Sequence, residues 1–161
     1  MPILDKYTEE DIAEPFRAAV REWFLLFNGY KAPVFEKILD TSPHLDDFRF
    51  DVIYFEDEDR FKYIYAGKAL EQLYGETLGN RYLDDLYNFW FRRSAVKSYK
   101  QVMQTNKPFY ERRNVSTLTR KIGYYKLVLP VETEIADEYF ETTSRQFLTY
   151  VVPTNEDIKT K

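Results

Sequence analysis

The sequence predicts an α+β domain: a five-stranded, mostly antiparallel sheet with short helices on one face and an amphipathic helix ahead of it. Three observations predict this. Apolar residues recur at helical spacing near the amino terminus, then at a spacing of two in the middle and at the end. The resulting order is helix, two strands, helices, three strands, which suits segregated layers better than a βαβ alternation. Finally, three of the five glycines fall in one stretch, "YIYAGKALEQLYGETLGNRYLDDL" (63–86), where the chain must leave a strand and turn repeatedly.

The first helix is expected over 8–27. Thr8 can cap it, with Glu9, Glu10 and Asp11 favourable at the positive end of its dipole. Ile12, Phe16, Val20, Trp23 and Phe27 form one apolar stripe. Pro15 interrupts the pattern and moves the alternative start to Glu14, while Gly29 supplies a stop. A short helix is expected over 34–39, ending before Ser42-Pro43. "FRFDVIYFEDEDRFKYIYAG" then reads as a hairpin around the acidic turn 56–59, with Phe61, Tyr63 and Tyr65 on one face.

"KALEQLYG" and "YLDDL" read as short helical pieces, and a longer helix is expected over 88–105. Its stripe is Phe91, Ala95, Tyr99 and Val102, and Pro108 disfavours its continuation. Three strands follow: "FYERRNVST", "GYYKLVLPVET" and "SRQFLTYVVP". They are joined by a basic turn and by the acidic connection "EIADEYFETT". In the middle strand Tyr125, Leu127 and Leu129 alternate with Tyr124, Lys126 and Val128.

The 161 residues favour one domain with a sizeable core, rich in aromatics, with 14 Tyr, 13 Phe and 2 Trp. A net charge of −4 gives no electrostatic case for nucleic acid or an anionic membrane. The absence of cysteine excludes disulfides, thiolate metal sites, cysteine nucleophiles and cysteinyl cofactor adducts. The amino-terminal dozen residues are acidic and lack an apolar signal region, and no apolar run approaches bilayer length, so a cytoplasmic location is expected.

The element order and the 63–86 stretch resemble a PAS domain. More narrowly, they resemble the bacterial PAS subfamily of small, often single-domain proteins. The resemblance rests on Tyr63 and Gly67, then Gly75, Gly79, Leu83 and Leu86, with Pro108 and Leu129-Pro130-Val131 completing the pattern. It implies a helical extension over 1–34, a PAS domain over 35–153 and a polar tail over 154–161. It also implies a pocket between the sheet and the short helices. Gly67 would release the second strand by a positive φ or a close approach of backbones, while Gly75 and Gly79 would shape the following turns.

Pocket candidates, each with plain core as the alternative, are Tyr63, Tyr65, Leu73, Leu86, Phe91, Tyr99, Leu127, Leu129, Phe147 and Thr149. A one-residue slip would exchange the two faces of any strand. The stripe Ile12, Phe16, Val20, Trp23 and Phe27 suits either packing on the sheet's second face or a helix-mediated homodimer. The only histidine, His44, precedes the first strand, away from the long helix where a haem ligand is usual in such domains, and this argues against haem. Cysteinyl flavin is excluded, and the identity of any other ligand stays open.

"EDED" (56–59) lacks the glycine and distal Glu of a calcium loop and reads as a solvated turn. Asp84 and Asp85 read as surface residues. Arg92, Arg93, Lys97, Lys100, Arg112, Arg113, Arg120 and Lys121 read as a solvated face, or as one that meets an anionic ligand or an acidic partner. No catalytic or metal constellation emerges.

The function expected is therefore a stand-alone sensory or protein-interaction module, not an enzyme. It would bind a small molecule, a partner protein or both, and signal in trans. Two alternatives remain: a structural adaptor with a collapsed core, and a small enzyme with the cone-shaped cavity of certain isomerases. Such enzymes begin with helices and continue in an unbroken strand run, whereas here helices are expected between strands two and three.

Overall fold

The computed structural model describes residues 4, 7–29, 31–87, 89–116, 121–132 and 144–154. The expected turn with Arg120, the acidic connection, the start of the long helix at Asn88 and the tail beyond Thr154 lie outside the described residues.

The amino-terminal helix is shorter than the stripe suggests. Two 3-10 turns, Glu9–Asp11 and Glu14–Phe16, precede α1 at Arg17–Leu26. Pro15 has no N–H to give and its ring would crowd the preceding turn, so a continuous helix from Thr8 cannot form. Thr8 and Asp11 still meet, the Asp11 carboxylate accepting from both the Thr8 N–H and its hydroxyl at 2.9 Å. After α2 (Phe35–Leu39), a 3-10 turn at Pro43–Phe48 carries His44, which is exposed.

β1 (Arg49–Phe55) and β2 (Arg60–Ala66) form the expected hairpin. Its acidic turn is exposed, and Asp59 takes a φ of 51° while accepting from the Tyr54 hydroxyl at 2.7 Å. α3 (Lys68–Tyr74) ends at Gly75, whose φ of 75° caps the helix in the left-handed conformation that glycine adopts at no steric cost. A 3-10 turn at Leu83–Asp85 leads to α4 (Phe89–Thr105). α4 ends at Asn106, with a φ of 54° and its N–H bonded to the Val102 carbonyl at 2.8 Å. The sheet is completed by β3 (Phe109–Ser116), β4 (Lys121–Val131) and β5 (Ser144–Pro153).

All pairings are antiparallel, and the strand order is β2-β1-β5-β4-β3. With α3, the 3-10 turn and α4 between β2 and β3, this is the five-stranded α+β arrangement expected of a PAS fold. It departs from the cone-shaped enzyme order.

Each face of the sheet is buried under its own layer. On one face α3, the turn Leu83–Asp85 and α4 cover Phe50, Val52, Phe61, Tyr63, Phe147 and Val128. On the other, the amino-terminal segment covers Tyr110, Leu127, Leu129, Leu148 and Tyr150. Ile12, Phe16, Val20 and Trp23 are buried there, and Phe27 packs on them with its ring 4.7 Å from that of Trp23. The apolar stripe thus packs on its own sheet.

Gly67 does not take a positive φ. Its φ is −66°, and the reason for glycine is space: a Cβ would lie 2.2 Å from the Asp47 carbonyl oxygen and 2.7 Å from that of Asp46. These are backbone atoms and cannot swing away. Around Gly79 nothing would meet a Cβ within 4 Å, and the left-handed residue in that turn is Asn80, with a φ of 63°.

Candidate functional site

The ten predicted pocket residues do not all face one layer. Tyr63, Leu86, Phe91, Tyr99, Phe147 and Thr149 are buried on the α4 side of the sheet, with Leu73 half-buried beside them. Their rings pack on one another and on neighbours: Phe50 on Tyr63 at 4.3 Å, Tyr74 on Phe91 at 4.0 Å, and Tyr99 on Phe147 at 5.2 Å.

Leu127 and Leu129 lie on the opposite face, under α1. β4 is buried on both faces, so its alternation carries no polar-versus-apolar signal, and the more apolar row points towards the amino-terminal segment. Tyr65 is also displaced, for a different reason. Val52 pairs with Tyr63 but Asp51 with Tyr65, so Ile64 is the extra residue of a β-bulge. The bulge turns Tyr65 to the second face, where its hydroxyl donates to the Asp46 carbonyl at 3.1 Å beneath the Arg49 guanidinium.

Polar groups are set into the α4 side at particular points. The Tyr99 hydroxyl pairs with Thr149 Oγ1 at 2.8 Å, tying α4 to β5. Burial pushes the Tyr99 phenol upward and keeps it neutral, although the Thr149 contact opposes the shift. The Ser94 hydroxyl meets the Tyr124 hydroxyl at 3.2 Å, tying α4 to β4.

Between these two ties sits Lys126, only 4% exposed. Its Nζ lies 3.5 Å from the Ser94 carbonyl oxygen and 5.7 Å from the centre of the Tyr99 ring. Burial lowers its pKa to about 8, against a smaller upward pull from Glu111, with Arg113 adding to the fall. Glu111 stands directly opposite Lys126 in the β3–β4 ladder, yet among the described residues no carboxylate forms an ion pair with the ammonium.

α4 and β3 enclose a cleft of about 120 Å³ lined by Lys97, Ser98, Glu111, Arg113 and Ser94, whose carbonyl Lys126 meets, among others. Arg113 donates to Ser94 Oγ at 3.4 Å and stands 4.0 Å from Glu111. Lys97 and Arg113 were legible in the sequence as part of a basic face. Lys126 was not singled out. The available signal was its place as the one charged residue in "YYKLVLPV", in the same row as Tyr124 and Val128.

A second buried polar group lies on the opposite face. Arg49 donates to Asp46 at 2.7 Å and faces Asp51, whose Oδ1 is 3.1 Å from Nε but misaligned for a hydrogen bond. Burial raises the Asp51 carboxyl to about 6, the neighbouring Arg49 charge only partly offsetting it. The Tyr150 hydroxyl, close in the same ladder, has no hydrogen-bond partner among the described residues.

Asp84 and Asp85 are exposed, and Arg60 forks onto Asp84 at 2.9 and 2.7 Å while lying 3.6 Å over the Tyr82 ring. That contact fastens the turn before α4 to β2. Among the described residues no group of three or more acidic, histidine or cysteine side chains is placed to hold a metal, and no helix is long and apolar enough to cross a membrane.

No family model matches the chain, and no curated protein matches it. Among solved structures it is similar to the PAS domain of BvgS from Bordetella pertussis, with a TM-score of 0.47 and 12% identity over 70% of this chain and 82% of that one.

Proposed function

We propose that the protein is a sensory or protein-interaction module of the PAS type, which responds to a small molecule and passes the response to a partner protein. The observation that carries this reading is the way α4 is joined to the sheet. Two buried hydroxyl pairs, Tyr99–Thr149 and Ser94–Tyr124, and the buried Lys126 link one helix to the neighbouring strands β4 and β5. Those strands also carry the second face, on which the amino-terminal segment rests. A ligand with different affinities for two packings of α4 would therefore bias the opposite layer as well.

The partner surface and any homodimer belong to the same proposal. Because the apolar stripe of α1 is buried, a dimer through this helix would form on its outer side, where Leu25 is 78% exposed and Phe24 stands beside it. The continuous ring packing on the α4 side favours one second reading, an adaptor with a filled core.

Native mass spectrometry of gently purified protein separates the two. A mass excess lost on denaturation supports the sensory reading. A bare chain mass, with partner binding intact on pulldown, supports the adaptor.

A further inference from the structure

We propose that the cleft between α4 and β3 binds the carboxylate or phosphate group of a small metabolite, with Lys126 as the buried cation beneath it. The inference rests on the sensory reading for its purpose and on the cleft alone for its chemistry.

An ammonium has three hydrogens to donate, and among the described residues one long contact to a carbonyl is the hydrogen bond it makes. Burying such a charge without a counter-ion is costly, and methionine or leucine would fill the same space without the charge. The single long bond to α4 and the distant Tyr99 ring repay little of that cost, whereas an incoming anion would repay more. The surroundings agree in sign: on the lining Lys97 and Arg113 outweigh the single Glu111, and Lys126 lies near enough to feel both Glu111 and Arg113.

They agree in geometry as well. Arg113 offers a planar fork of donors suited to two oxygens of one group. The cleft, at about 120 Å³, has room for a small molecule and not for a polymer chain. Ser94 and Ser98 line the cleft on the α4 side, and Ser94 is itself paired with the Tyr124 hydroxyl, so an oxyanion there would meet polar groups. The lowered pKa of Lys126 fits a cation waiting for a partner.

The test uses the full chain with inorganic phosphate and with succinate as probes. At roughly ten times Kd at least one of the two probes should raise the melting temperature by about 3–6 °C. Lys126→Met should fold and lose the shift. Arg113→Gln, at an exposed position, should weaken binding about tenfold or more without changing the fold. A shift with phosphate alone or with succinate alone identifies which oxyanion the cleft takes. No shift with either at millimolar concentration overturns the proposal, as does an equal shift in Lys126→Met. Native mass spectrometry keeps the broader reading separate, because a ligand retained equally by wild type and Lys126→Met overturns the cleft while leaving the sensory module standing.

Discussion

The indole N–H of Trp23 donates to the carbonyl oxygen of Pro130 at 2.8 Å. This bond fixes α1 to the end of β4 and makes Trp23 part of the domain's own core. Trp23→Ala should cost about 3–5 kcal/mol through lost burial and a cavity. Trp23→Phe, which keeps a ring but leaves the carbonyl unpaired, should cost about 1–3 kcal/mol. Urea midpoints measure both. Trp23→Glu would bury an unpaired carboxylate and should unfold the protein, so it reports on folding and not on a dimer. An unchanged midpoint in Trp23→Ala would mean that α1 does not dock on the sheet in solution.

Gly67 and Gly79 should respond oppositely to alanine. At Gly67 the added carbon meets the Asp47 backbone at 2.2 Å, a distance that forces the chain apart. Gly67→Ala should destabilise by about 3 kcal/mol or more, in the range reserved for strain and overpacking. Gly79→Ala meets nothing and should lie within about 1 kcal/mol of wild type. Thermal melts of the pair decide the matter, and similar losses in both would place the helix start elsewhere.

Lys126→Met should be more stable than wild type at neutral pH. The folded-state pKa, about 8, lies below the ordinary value of 10.5, so the folded state resists the proton that the unfolded chain accepts. The penalty is full below pH 8 and fades as pH rises towards 10.5. The advantage of methionine should be on the order of 3 kcal/mol at pH 7 and close by about pH 10.5. A gap that does not change with pH would mean that the ammonium is solvated.

Asp51 gives the mirror case. Its folded pKa, about 6, is raised from 3.8, so the native state holds a proton that the unfolded chain releases. Stability from this group is full below pH 3.8 and is lost as pH rises through 6. Asp51→Asn should therefore gain on wild type across that window by on the order of 2–3 kcal/mol. Denaturation at pH 4 and pH 7 reads the difference. If asparagine loses ground instead, the Arg49 pairing outweighs the cost of burial.

The element order, the hairpin, the end of α4 near Pro108 and the apolar stripe were legible because each depends on local chemistry. What was not legible depends on neighbours. Tyr65 changes face because Ile64 is bulged against β1, and nothing in "FKYIYAG" marks which residue is the extra one. Leu127 and Leu129 were ambiguous because β4 is buried on both sides, which removes the contrast that reveals parity. Gly67 was recognised as necessary, but the choice between dihedral freedom and space required the position of Asp47, twenty residues earlier in the chain. Lys126 looked like an ordinary strand lysine until α4 was placed over it.

The strand order also constrains how the chain reaches its native state. The central ladder pairs Arg49 with Tyr150 and Phe55 with Ser144, so nearly everything between them lies inside one long loop. By contrast, the β1–β2 and β3–β4 hairpins form between near neighbours in sequence. Closing the long loop costs entropy before its contacts repay any of it, which places such topologies among the slower folders. The hairpins should therefore protect their amide hydrogens first in a pulse-labelling experiment, and β5 should be the strand that completes the sheet last.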